Sequence, residues 1–363
     1  MNNGEALRRA VLAEPDEDTP RLIYADWLDE NGQAERAEFI RAQIEAVRAD
    51  PGSRQAREAR ARADTLLEKH DKSWGRPTRG GIQTQYERGF IGRLNIDPAA
   101  MTPPVATELF ANDPIQVLRV NSAFGSAIAT FVNLPELCRI RRLELAPRIG
   151  LMSEDYAQLL ARGPQLYGLR DLSLRENPVP PGWLAAMLAG TAFPELQGLD
   201  FGDIPNIGPG LVAAFARAGH REIRRLDVSR VVFTSEEIQR LLQSPCLRRV
   251  EELRLGCAVR RGDVGPLFHL DLGWVIPWDR LRVLNLAGQY LGSEGVKEIV
   301  RCANAVELRS LGLANNGLDT AAVRALIESK QLRLSHLDVR GNGLSFSDLV
   351  RLQRRFPDAS IDS

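Results

Sequence analysis

A strand pattern and a helix pattern recur together from about residue 90 onward, and that coupling constrains the fold more than any other feature of the chain. The clearest unit is Leu308–Ser329, in which Leu308, Leu311 and Leu313 stand at L-x-x-L-x-L spacing and are followed by Asn316 and Leu318. Val323, Leu326 and Ile327 then lie at i, i+3, i+4, one apolar stripe on a helix. The strand pattern restarts at Ile91, Ile115, Ile140, Leu169, Leu196, Ile223, Val250, Leu281, Leu308 and Leu334, about 24 to 31 residues apart and most often 27. Helical triads such as Tyr156/Leu159/Leu160, Leu184/Met187/Leu188, Leu211/Ala214/Phe215, Ile238/Leu241/Leu242 and Val296/Ile299/Val300 keep step with it. One unit cannot cover either of its oily faces alone, so successive units must stack.

Lys+Arg and Asp+Glu both number 47 among 363 residues, so no net charge draws in a polyanion, and nucleic acid is not an expected partner. The N-terminal stretch lacks the apolar run of a signal peptide and no later segment is long enough to span a bilayer, so the expectation is a cytoplasmic protein without membrane contact. Cys138, Cys246, Cys257 and Cys302 are scattered, without the close pairs of a zinc or redox site, and read as small hydrophobes in a reducing compartment. No cofactor and no metal is expected.

Residues 1–75 read as four short helices. Leu7, Ala10 and Val11 mark the first, Thr19 and Pro20 an N-cap and first-turn pair for the second, and Asn31-Gly32 its stop. Phe39, Ile40, Ile44 and Val47 give the apolar face of the third, and a charged fourth runs from about Ser53 to His70. Arg21, Asp26, Arg36, Glu38 and Arg41 read as an ion-pair network tying helix two to helix three, with Tyr24 and Trp27 packed between. Residues 76–97 form a connector and a hairpin turning at Arg88-Gly89, whose second strand opens the repeat series of residues 90–363. The hairpin is expected to cover one end of the stack, and Ala359-Ser360-Ile361 to add a partial strand at the other.

Pro20-Arg21-Leu22, Tyr24-Ala25-Asp26-Trp27-Leu28 and Arg36-Ala37-Glu38-Phe39-Ile40-Arg41 resemble the bacterial repeat-companion domain, a helical module found beside repeat arrays. The resemblance covers about 45 residues, Leu7 to Ala49, and implies association with repeats but no catalytic residue. The units themselves are leucine-rich repeats. A full helix per unit and a period near 27 resemble the ribonuclease-inhibitor-like class over about 270 residues. That resemblance implies an α/β horseshoe solenoid of about ten repeats, with a parallel concave sheet, convex helices and a small all-α N-terminal domain. The class is known for binding proteins, including in a GTPase-activating protein and an inhibitor. The asparagine expected after the strand stands at Asn177, Asn316 and Asn342, and a less regular turn is expected at Gln289, Ile204 and Val231.

The expected function is therefore a non-catalytic scaffold, monomeric, gripping a protein partner on the concave face through Arg119, Arg142, Glu144, Arg175, Asp200, Arg225, Asp227, Arg254, Asp338 and Arg340, where both signs of charge alternate. Asn95, Ser173, Asn285 and Gly312 share the same column, and Asp171, Glu252 and His336 flank it. A second candidate is the insertion HLDLGWVIPW, whose Trp274 and Trp278 read either as an exposed anchor or as filling on the convex side. Arg141, Arg170, Arg224, Arg282 and Arg309 recur just after the first strand residue, a rim that suits an acidic partner unless nearby acids neutralise it. Two other function classes remain open at this stage. One is a regulator of a small GTPase; the other is an enzyme using Asp26, Arg36 and Glu38.

Overall fold

In a computed structural model the described residues are 3–49, 54–70, 74, 80–151, 155–157, 159, 166–190, 193–218, 221–256, 276, 278–302 and 305–363, with Trp278 described in its backbone only. The side chains of Trp274 and Trp278 in the insertion therefore lie outside the described residues, as do Cys257 and most of the connector. The chain divides into two compact units, one of residues 1–150 and 161–169, the other of residues 151–160 and 170–363.

The first unit begins with α1 (Asn3–Ala13), α2 (Thr19–Glu30), α3 (Ala34–Arg48) and α4 (Arg54–His70). Thr19 is the first helical residue of α2, not its cap: Asp18 holds the cap position and makes no side-chain cap bond. Gly32 ends α2 in the left-handed region at φ 77°. Val11, Ala25, Leu28, Ala37, Ile40, Ile44 and Phe90 form one buried cluster, which Tyr24 and Trp27 flank. Trp27 also lies over Gly4 of α1, where a Cβ would come within 2.3 Å of its ring, so it ties α1 to the cluster as well. Val47, expected on the apolar face, is 66% exposed.

Phe90 enters that cluster from a hairpin of β1 (Ile82–Glu87) and β2 (Phe90–Ile96), antiparallel and turned by Arg88 and Gly89, both at positive φ. Two such residues match the twist of a tight hairpin. Gly89 is required there twice over, because a Cβ would also lie 2.4 Å from Ile40 Cγ1. The sheet changes direction at β2, which pairs in parallel with β3 (Val117–Val120), and β3 with β4 (Arg142–Leu145). Leu94, Leu118 and Leu143 sit in register and are at most 1% exposed. α5 (Pro103–Asn112) and α6 (Ile128–Phe131) complete the described helices of this unit.

The second unit runs through β5 (Asp171–Ser173), β6 (Gly198–Asp200), β7 (Arg225–Asp227), β8 (Glu252–Arg254), β9 (Val283–Asn285), β10 (Ser310–Gly312), β11 (His336–Asp338) and β12 (Ser360–Asp362), each parallel to the next. Leu172, Leu199, Leu226, Leu253, Leu284, Leu311 and Leu337 make one in-register buried row that ends at Ile361. Fully burying each such leucine stabilises by roughly 1.5–3 kcal/mol. Between the strands lie α7 (Pro181–Ala189), α8 (Gly208–Arg217), α9 (Ser235–Leu242), α10 (Gly292–Arg301), α11 (Thr320–Glu328) and α12 (Phe346–Arg355). The architecture is an α/β leucine-rich-repeat solenoid with an all-α N-terminal region.

Among the described residues, the turns after β5, β6, β7, β9, β10 and β11 are more regular than the side chains suggest. Glu176, Asp203, Arg230, Gly288, Asn315 and Gly341 all take φ between 55° and 72°, whether Asn, Gln, Ile or Val follows. In the first five, the backbone N–H donates to a carbonyl of the next repeat, at Gly202, Ser229, Gly256, Ala314 and Arg340. At Ile204, Val231 and Gln289 this seam is kept without the asparagine because the main chain makes it, while the residues beyond it differ, a 3-10 turn following Ile204 and two positive-φ residues, Tyr290 and Gly292, following Gln289. Asparagine adds a second bond where it occurs: Asn316 Oδ1 accepts from the amides of Gln289 and Leu291, and its Nδ2 donates to Leu286 O at 2.9 Å. Gln289 serves similarly, donating to Leu255 O at 2.6 Å.

In α12 Phe346, Leu349 and Val350 stand at i, i+3, i+4, an apolar spacing that is out of phase with the core. Phe346 is 82% exposed, whereas Leu352 and Phe356 are buried. Asp348 is buried with them because it closes a reciprocal cap with Ser345.

Candidate functional site

Residues beside the buried leucine row project to the other side of the pleat. In the second unit Ser173, Asp200, Asp227, Arg254, Asn285, Gly312 and Asp338 stand in register, the column expected from the repeat spacing. Asp171, Gly198, Arg225, Glu252, Val283, Ser310 and His336 form a second column two residues before it. In the first unit Asn95, Arg119 and Glu144 align in the same way, Arg142 is exposed, and Glu144 accepts from Arg93 at 2.9 Å.

On β5–β7 these side chains form a lattice. Arg175 reaches Asp227 at 2.8 Å, Asp203 at 2.5 Å and Asp200 at 3.2 Å. Arg225 reaches Asp171, two repeats back, at 2.8 Å. Glycine makes both spans possible. A Cβ on Gly202 would fall 2.3 Å from the Arg175 guanidinium, and one on Gly198 would fall 1.9 Å from the Asp171 carboxylate and 3.1 Å from Arg225 Nε. Asp203 also receives Arg230 at 3.2 Å, and Ser173 donates to Asp200 at 2.9 Å. Burial works against the charge on Arg175, but its three aspartates outweigh that and hold its pKa above the ordinary arginine value.

Several column residues also close their own turns. Asp200, Asp227, Asn285 and Asp338 each accept, through a side-chain oxygen, the backbone N–H two residues on. Asp338 further takes two bonds from Arg340, at 2.9 and 2.7 Å, and this pairing holds its carboxyl below the usual range. Arg254 and Arg340 are exposed. The lattice members Asp203, Arg230, Gly198 and Gly202 are absent from the sequence-based site, although a glycine two residues before and two after the outward Asp200 was the available signal.

The expected ion-pair network of the helical region is present only in part. Arg41 of α3 does bridge Asp26 at 2.8 Å and Asp29 at 3.0 Å. Arg21 and Arg36 instead serve main-chain carbonyls of the hairpin tip. Arg21 donates to Arg88 O at 3.1 Å and to Pro15 O at 2.9 Å, and burial holds its pKa down to about 10. Arg36 donates to Gly89 O at 2.5 Å among the rings of Phe39, Trp74, Tyr86 and Phe90, all within 5.8 Å of its guanidinium carbon. Gln43 accepts the Gly89 N–H, and Arg88 returns bonds to the carbonyls of Pro15 and Asp16. Asp26, Arg36 and Glu38 thus have separate partners, Glu38 pairing with Arg62 at 3.4 Å, and form no shared catalytic arrangement. His70 stacks on Trp74 and bonds Glu35.

Among the described residues no cluster of His, Cys, Asp or Glu could hold a metal ion, and no helix is long and apolar enough to cross a membrane. No family model and no curated protein matches the sequence. Among solved structures, the yeast Rad7 and Elc1 complex contains a chain matching at TM-score 0.49 and 13% identity over 93% of this chain and 89% of that one. A Bacteroides fragilis protein matches at TM-score 0.49 and 14% identity over 85% and 84%. An LRR protein of Leptospira interrogans matches at TM-score 0.32 and 14% identity over 82% and 98%.

Proposed function

We propose that the chain is a non-catalytic, monomeric, cytoplasmic scaffold that binds a protein partner on the strand face of its repeats. The in-register polar column of β5–β11 carries this reading. Its aspartates, together with Arg175, Arg225 and Arg340 beside them, are held in place before any partner arrives, which lowers the ordering cost of association. Both signs are interleaved, and a folded protein surface of mixed charge complements that pattern where a phosphate backbone would not. Arg175, Asp200, Arg225, Asp227, Arg254, Asp338 and Arg340 are the contact residues in the second unit, and Arg119, Arg142 and Glu144 in the first.

Affinity capture from native lysate with the full chain tests the reading. Arg254→Glu with Arg340→Glu reverses two exposed charges, and Asp200→Lys with Asp227→Lys reverses the centre of the lattice. Each pair should reduce capture of a specific protein by roughly tenfold or more. Capture of the same proteins at the same yield by both pairs would remove the strand face as the binding surface.

A further inference from the structure

A cleft in the first unit carries a separate inference, independent of the strand face. It has a volume of about 230 Å³ and lies between the turn after α1, the residues leading into β3 and those leading into β4. Leu12, Pro15 and Ile115 supply apolar wall, Arg139 and Arg141 supply charge, and Tyr167 stands at 53% exposure beside them. Among the described residues no carboxylate lines it.

Arg141 is only partly used by its own chain. Its Nη1 donates to Gly168 O at 3.0 Å, while its Nε is buried and bonds nothing. The guanidinium lies against Gly168, where a Cβ would come within 1.7 Å of Nη1. Arg139 spends one nitrogen on Phe110 O at 2.6 Å and is otherwise exposed. The Gln116 amide is taken up by Asp16 at 3.1 Å. Leaving a buried guanidinium N–H without an acceptor costs about 1–3 kcal/mol, so the Arg141 charge is only partly compensated by its own chain.

The second unit offers an internal comparison. Arg224 occupies the same place in its repeat and also has a buried, unpartnered Nε. Its Nη1, however, meets Glu251 at 3.0 Å, and Glu195 and Glu222 line its groove. There the chain supplies its own anions; at Arg139 and Arg141 the described lining supplies none.

We propose that the Arg139/Arg141 cleft binds a single carboxylate carried on an apolar stem, the chemistry of a peptide's C-terminal residue. Two guanidinium groups meet the charge, and the wall of Leu12, Pro15 and Ile115 receives the stem. A phosphate is a poorer fit, because that wall offers its remaining oxygens no donors.

The test is calorimetric titration of the full chain with N-acetyl-alanyl-leucine, as the free acid and as the C-terminal amide. The acid should bind and the amide at least about tenfold more weakly, the size expected for a charge-assisted hydrogen bond. Arg141→Gln should weaken acid binding by a similar factor. Arg139→Gln should do so as well while still melting in one cooperative transition, lowered by no more than a few degrees through loss of the bond to Phe110 O, which separates ligand loss from misfolding. Equal binding of acid and amide, no binding of either at millimolar concentration, an unchanged affinity in Arg139→Gln, or full competition by equimolar inorganic phosphate would each overturn the proposal.

Discussion

Arg36 beneath the hairpin tip and Arg175 on the strand face each gather several groups around one guanidinium, by opposite chemistry. Arg36 meets four aromatic rings and a carbonyl, with no carboxylate bonded to it, and burial pushes its pKa below the ordinary arginine value. Arg175 meets three carboxylates, and its pKa is raised. At Arg36 the flat, weakly hydrated shape of the side chain is what the site uses, and its charge is carried at a cost. At Arg175 the charge itself is used, to hold aspartates from neighbouring repeats at fixed positions. A residue type alone therefore does not distinguish a structural rivet from part of a recognition surface; its acceptors do.

The largest expected effect breaks the first half of this contrast. Arg36→Ala opens a cavity among the rings and leaves Gly89 O unpaired, and should cost about 3–5 kcal/mol in urea unfolding. Arg36→Met refills the space without the donor and should recover part of that loss. An alanine variant within about 1 kcal/mol of the parent would show that the rings do not depend on the guanidinium.

Arg175→Met sharpens the other half. The side chain is 32% exposed, so screening limits its worth to about 1 kcal/mol, and the loss should shrink as salt rises. The Arg36 variants should show no such salt dependence. A salt-independent loss at Arg175 would place it with Arg36 as a packing residue.

The smallest effect concerns acid. Asp338 has its folded pKa depressed by Arg340, so the stability it contributes is present above its unfolded value near 4 and is lost as pH falls through the lower folded value. Asp338→Asn should therefore flatten the stability curve below about pH 4 and leave the rest of its shape unchanged. A parent-like acid limb in the variant would mean that the pairing contributes nothing to folding.

The leucine row, the hairpin and the first four helices were legible in the sequence because burying one face forces a period, and a period survives without knowledge of neighbours. Partners that are backbone carbonyls leave no such trace. For that reason Arg21 and Arg36 read as members of ion pairs when their acceptors are Pro15, Arg88 and Gly89 main chain. The phase of α12 was hidden for another reason: Asp348 is buried by its bond to Ser345, so the stripe that faces inward contains a residue that reads as solvent-facing. On the strand face the column followed from the repeat length. The lattice within it did not, because the Arg225–Asp171 pair skips a repeat and depends on the missing side chain of Gly198.

The row of left-handed residues from Glu176 to Asn315 has a consequence for how such a chain changes over time. Since one repeat is fastened to the next by main-chain groups that every amino acid but proline carries, a whole repeat inserted or removed would meet the same fastening on either side. The surface chemistry of each repeat can then drift under selection for a new ligand without renegotiating the joint, and the number of repeats becomes a property that can be adjusted in whole steps.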